Sequence, residues 1–137
     1  MERSVLEEAI YNRYIVPTRR KRTHLAGLEF ELPIVNEKNE PVNFEVIYQV
    51  TDRFIDTFSF LNVSRDDNEH IYLAVDDKTG DGLSYDCSYN TLEFSFGKEE
   101  DMNVLYKRFC QYYTYIQKEL RKEGHMLTGI GINPRYA

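Results

Sequence analysis

The sequence has no tryptophan and only two cysteines, Cys87 and Cys110. Two thiols make neither a disulfide framework nor a metal knuckle. No apolar run approaches the roughly 20 residues that span a bilayer. The start, Met1-Glu2-Arg3-Ser4, lacks the apolar stretch of a secretory signal. Neither a Gly-x-x-x-x-Gly-Lys-Ser/Thr phosphate loop nor a Gly-x-Gly-x-x-Gly turn is present. Positive charge is in deficit: 17 Lys and Arg against 23 Asp and Glu leave a formal net charge of −6. That balance argues against a general nucleic-acid binder. Together these absences lead to the expectation of a cytoplasmic protein with neither a membrane nor a nucleic acid as partner.

What is present suits one domain with one core. The chain has 137 residues, 42% of them apolar and 14% aromatic, carried by 11 Tyr and 8 Phe, a content that excludes disorder of the whole chain. Val5, Leu6, Ile10 and Tyr14 lie near helical spacing, after which Pro17 and the basic run Arg19-Arg20-Lys21-Arg22 predict a solvated loop. From Ala26 the period becomes two. Leu28, Phe30, Leu32 and Ile34 point one way, Glu29 and Glu31 the other. A turn at residues 36–41 precedes a helix of about 18 residues, capped by Asn43, with Ile47, Val50, Phe54, Phe58 and Leu61 on one face.

A strand at 71–75 and a turn at 78–82 follow. Leu83, Tyr85 and Cys87 then alternate with polar residues until the phase flips to Leu92, Phe94 and Phe96. A hairpin turning at Tyr89-Asn90 accounts for the flip. It pairs Leu83 with Phe96, Tyr85 with Phe94 and Cys87 with Leu92 on the apolar side. Ser84 with Ser95, Asp86 with Glu93 and Ser88 with Thr91 fall on the other side. A long amphipathic helix from about Glu100 to Glu123 carries Met102, Leu105, Tyr106, Phe109, Tyr112, Tyr113, Ile116 and Leu120, and Gly124 stops it. A final strand, Met126 to Ile132, places Met126, Thr128, Ile130 and Ile132 on one face and Gly129 and Gly131 on the other. The expected class is α+β: an antiparallel sheet with two long helices on its apolar face and an acidic opposite face.

Glu29, Glu31, Asp86 and Glu93 on that opposite face repel one another. Asp86 directly across from Glu93 is a destabilising pair, and Glu29 and Glu31 lie roughly 7 Å apart from strand rise. Protonation of one carboxyl, neutralisation by basic side chains, or divalent cations between them would relieve the repulsion. A merely hydrophilic surface is the plainer reading of alternation alone. Hard cations such as Mg2+ take carboxylate oxygens and share their shell with phosphates, whereas the stretch offers none of the His or Cys ligands that suit zinc. Gly129 and Gly131 leave room above the sheet. His24, His70 and His125 are scattered, and each is expected to be structural or exposed.

Three segments in order resemble a known family. Gly27-Leu-Glu29-Phe-Glu31-Leu is similar to the first-strand motif of the glutamate–cysteine ligases, carboxylate–amine ligases of the glutamine synthetase/guanido kinase-like fold. Asp86-Cys-Ser-Tyr-Asn-Thr-Leu-Glu93-Phe-Ser95 resembles their next acidic hairpin. Gly124-His-Met-Leu-Thr-Gly129-Ile-Gly131-Ile-Asn-Pro134 resembles the helix-to-strand segment that follows. The likeness runs over residues 25–136.

The resemblance implies Mg2+ and ATP. In that family ATP phosphorylates the γ-carboxylate of glutamate and the amine of cysteine displaces the phosphate, the first step of glutathione synthesis. It implies metal-ligand positions for Glu29, Glu31 and Glu93, with Asp86 a ligand or just behind one. Arg135, past the last strand, is a candidate for holding a carboxylate or phosphate, or a surface arginine. Family members run to several hundred residues, and this chain stops after its third matching segment. The expectation is therefore an N-terminal helix and basic loop over 1–24, then over 25–137 a truncated N-terminal part of the catalytic domain. Such a part would be inactive alone and inclined to self-associate through exposed sheet edges. An amine other than cysteine fits equally well. The alternative is a non-catalytic interaction module that retains the scaffold.

Overall fold

The computed structural model describes residues 4–19, 24–86 and 88–131. Helix α1 (Val5–Ile10) opens on Ser4, whose hydroxyl accepts from the Glu7 N–H while the Glu7 carboxylate accepts from the Ser4 N–H, a capping box. It continues as a π-helical turn, Tyr11–Ile15, and a 3-10 turn, Val16–Arg19. No residue of this N-terminal stretch is buried.

The remaining elements are β1 (Ala26–Asn36), α2 (Phe44–Phe58), β2 (Asn62–Arg65), β3 (Ile71–Val75), β4 (Gly82–Tyr85), β5 (Thr91–Glu99), α3 (Met102–Lys122) and β6 (His125–Leu127). The six strands form one antiparallel sheet in the order β2-β3-β4-β5-β1-β6. The class is α+β. Helices α2 and α3 lie against the sheet because each presents one apolar stripe: Ile47, Val50 and Phe54 from α2, Leu105, Tyr112, Ile116 and Leu120 from α3. They meet Leu32 and Ile34 of β1 and Leu92, Phe94 and Phe96 of β5. The Phe54 ring stands edge-on to Tyr112 at 5.3 Å, and Tyr112 stacks on Phe96 at 5.8 Å. Aromatic burial of this kind is the main cohesive contribution.

One buried polar network crosses the layers. Asp81, fully buried before β4, accepts the Gly97 N–H at 3.0 Å, the Tyr112 hydroxyl at 3.1 Å and the Arg108 guanidinium at 3.2 Å. Arg108 also reaches Glu99 at 3.0 Å. Burial, with Asp81 alongside, pushes the Tyr112 phenol up, so Tyr112 remains a donor. A second clasp is His125, whose Nε2 accepts the Asn43 N–H at 3.2 Å while Nδ1 lies 2.7 Å from the Glu123 carbonyl. It ties β6 to the start of α2.

Four expectations need correction. Helix α2 ends at Phe58, not Leu61, because Ser59 turns left-handed with φ 57°. Leu61 is then 85% exposed and Phe60 enters the core instead. Strand β2 is an addition: Asn62–Arg65 holds one apolar residue, Val63, too few to show an alternation of its own, and pairing with β3 defines the strand. The last strand spans only His125–Leu127, with inverted phase. His125 and Leu127 point inward, since Gly124 at φ 68° reorients the chain and His125 is held by its two bonds. Ile132 and Arg135 lie outside the described residues, as do positions 20–22 of the basic run.

The fourth correction is the β4–β5 register. The turn does centre on Tyr89-Asn90, with Thr91 N–H to Ser88 carbonyl at 3.3 Å. The ladder then resumes two residues off: Leu83 faces Phe94, Tyr85 faces Leu92, and Ser84 faces Glu93. The Asp86 N–H bonds the Thr91 carbonyl at 3.1 Å and the Asp86 carbonyl takes the Ser88 N–H at 2.7 Å, a bend that takes up the extra residues. Tyr89 anchors this bend, packed between Phe44, Tyr48 and Tyr85, with its hydroxyl 3.0 Å from Asp66. Because the slip is even, every side chain keeps its face.

Candidate functional site

Strand alternation sends Glu29 and Glu31 of β1 and Glu93 of β5 to the side of the sheet away from α2 and α3. Glu31 pairs directly with Glu93, and Glu29 pairs with Ser95, one diagonal step from Glu93. Directly opposed residues sit with Cβ atoms about 4.5–5.5 Å apart and diagonal ones about 7–8 Å apart. Asp86 is not opposite Glu93, which pairs with Ser84 there. It stands two residues beyond, across from Thr91.

The charges nevertheless act on one another. The Glu93 carboxyl is raised above the usual range, first because it is partly desolvated, then by Glu29, Glu31 and Asp86. Among the described residues none of Glu29, Glu31 and Glu93 makes an ion pair. Their neighbours on that side are small: Ser84, Ser95, Gly82 and Gly97. A cavity of about 440 Å³ opens beside Glu29, lined also by Gly27, Gly97 and Lys98. Carboxylate spacing does not point to Lys98. Only the pairing of Ala26 with Glu99 brings it there.

All the donors on this surface are oxygens, the chemistry of a hard cation. Among the described residues no three carboxylate, His or Cys groups converge closely enough to hold a metal ion. Glu29 and Glu31 sit two apart on an extended strand, which keeps their carboxylates separate. The arrangement suits one or two protein ligands per cation, with water or phosphate oxygens completing the shell.

Repulsion at Glu93 yields a stability prediction. A carboxyl whose folded pKa is raised stabilises fully below the unfolded pKa and loses that contribution as pH rises through the folded value. Glu93→Gln is therefore expected to be more stable than the parent at pH 7 by about 0.5 kcal/mol after solvent screening. The gain should vanish below roughly pH 4, where both side chains are neutral. Thermal melts at the two pH values check this; an unchanged or lower melting temperature at pH 7 refutes it.

Two of the histidines are structural and His24 is exposed. His70 stacks on Tyr48 at 3.6 Å and lies 3.6 Å from Asp66, and His125 forms the buried clasp. Cys110 is a free, half-buried thiol on α3, and position 87 lies outside the described residues. Gly129 has open space around it, but it lies beyond β6 and not on a strand. Among the described residues no helix is long and apolar enough to cross a membrane. Comparison of the chain with protein-family models, with curated proteins and with solved structures gives no match.

Proposed function

We propose that residues 25–137 form the N-terminal part of an ATP- and Mg2+-dependent carboxylate–amine ligase of the glutamate–cysteine ligase kind, with a glutamine synthetase-like fold and an acidic face at its site. The observation that carries this reading is the opposition of Glu31 and Glu93, with Glu29 and Asp86 close enough to raise the Glu93 carboxyl. A sheet surface on which Glu29, Glu31 and Glu93 make no ion pair among the described residues gains stability when a cation binds. Glu29, Glu31 and Glu93 are the candidate ligands, with Asp86 reinforcing the field. A divalent cation there would neutralise charge on phosphoryl oxygens during transfer from ATP. The substrates on this reading are glutamate, ATP, and cysteine or another amine, in the cytoplasm.

The test is calorimetric titration of the chain with Mn2+ or Mg2+, with and without ATP, beside Glu29→Gln and Glu93→Gln. Binding weakened at least tenfold by either substitution is expected. The same cations should raise the melting temperature of the parent and not of Glu93→Gln. If the parent binds no cation under any of these conditions, the ligase reading loses its support and the non-catalytic module takes its place.

A further inference from the structure

Strand β1 is 11 residues long, and β6 pairs only with its end, Ile34 to Asn36. Burial records the difference. At the β6 end Leu32 and Ile34 are 8% and 1% exposed, whereas Leu28 and Phe30 on the same face are only half-buried. Phe30 stacks on Phe109 of α3 at 4.3 Å and Phe109 on Tyr113 at 5.5 Å, and those two rings are also half-buried. Tyr113 lies one helical turn from Gln117, whose side chain accepts the Leu127 N–H at 2.7 Å. Helix α3 thus passes beneath the lane that β6 occupies and continues beneath a lane that holds no strand.

The backbone facing that lane is open. In an antiparallel strand successive residues turn their N–H and C=O groups to opposite neighbours. The Ile34 N–H bonds the Asn90 carbonyl at 2.8 Å on the β5 side, and the Pro33 carbonyl accepts the Thr128 N–H at 2.8 Å on the other. Leu28, Phe30 and Leu32 therefore bond β5, while Glu29 and Glu31 turn their peptide groups outward. Among the described residues no strand pairs with them there. Such an edge is a template for another strand.

Charge and phase select the occupant. Side chains of an added strand alternate, one set beside Glu29 and Glu31, the other over Phe30 and the α3 rings. Neither glutamate makes an ion pair among the described residues. A second copy of β1 would set carboxylate beside carboxylate in every antiparallel register centred between Glu29 and Glu31. Continuing the β6 register along this chain would set Ile130 across from Glu31 and the bare Gly129 over the helix; Ile130 is 48% exposed instead. An extended segment that alternates Lys or Arg with apolar residues complements both faces.

We propose that the outer edge of β1, at Glu29 and Glu31, docks an extended basic segment of another protein, which joins the six-stranded sheet as one more strand. Its backbone takes up the outward peptide groups of Glu29 and Glu31, and its cationic side chains pair with the two carboxylates. Its apolar side chains cover Phe30, Phe109 and Tyr113. The proposal shares two carboxylates with the cation reading and does not rest on it.

Fluorescence anisotropy in EDTA tests this, with a labelled heptapeptide of alternating Val and Arg titrated with the full chain. Three changes separate strand addition from plain charge attraction. One peptide has the same composition with its arginines together, and another is N-methylated at its arginines. The third change is the protein carrying Glu29→Gln and Glu31→Gln, its fold checked by circular dichroism. The alternating peptide is expected to bind the parent, and each change to weaken binding at least tenfold. No binding by the parent, equal binding of either altered peptide, or indifference to the glutamine substitutions would each overturn the proposal. With divalent cations chelated, this site can fail while the cation titration succeeds, and the reverse.

Discussion

Asp81→Ala is expected to destabilise the fold by about 3–5 kcal/mol, because it strips three donors of their acceptor and leaves the mostly buried Arg108 charge with Glu99 alone. The carboxylate is fully buried and receives three donors, from Gly97, Arg108 and Tyr112. Its removal strands a backbone N–H of β5 and a phenol that burial already holds protonated. For a domain of this size the loss amounts to roughly 10–20 °C in melting temperature. Asp81→Asn keeps the volume but not the charge, and should fall between the parent and the alanine variant. Urea unfolding followed by circular dichroism gives the values. An alanine variant within about 0.5 kcal/mol of the parent, the range of an ordinary surface substitution, would contradict the network's role.

Gly97→Ala is expected to be comparably severe, for a steric reason. A Cβ at that position would stand 1.8 Å from the Thr79 carbonyl oxygen, a backbone atom that cannot rotate away. Relief requires the 76–81 turn to move, and that turn carries Asp81 into its network. Overpacking against a side chain costs about 1–3 kcal/mol, and a rigid backbone contact more. Gly129→Ala is the matched control, since nothing lies within 4 Å of its Cβ. It should melt within a degree or two of the parent. Equal melting of both variants would show that the turn yields freely.

Both residues act on the candidate site through β5. Gly97 sits four residues from Glu93 on the same face of the strand, and Asp81 directly precedes the partner strand β4. Weakening either is expected to loosen the hairpin that carries the carboxylates.

Much of this was legible because burial imposes periods. The alternation of Leu28, Phe30, Leu32 and Ile34 against Glu29 and Glu31 defined β1 and its two faces. Asn43 was readable as a cap, and its side chain does accept from Glu45 N–H. The hairpin register was not legible, because a slip of two residues preserves every face and pattern alone cannot detect it. Tyr89 decides it, through rings on α2 far away in sequence. Strand β6 misled for the opposite reason: two hydrogen bonds on His125 outweigh the apolar preference of Met126. The carboxylates were found by phase. The Asp81 network was not, since an aspartate in a Lys-Thr-Gly-Asp-Gly stretch looks like turn chemistry until its burial is known.

The strand order also bears on synthesis. Strand β1 is the first made, yet its neighbours are β5 and β6, the last two. It can pair with neither until about 60 further residues have left the ribosome, which at roughly 5–20 residues per second takes about 3–12 seconds. Through that interval an eleven-residue ribbon with both edges bare is open to the wrong neighbour. Glu29 and Glu31 give a nascent chain two like charges on that ribbon, and two ribbons of the same sequence repel when they meet in register.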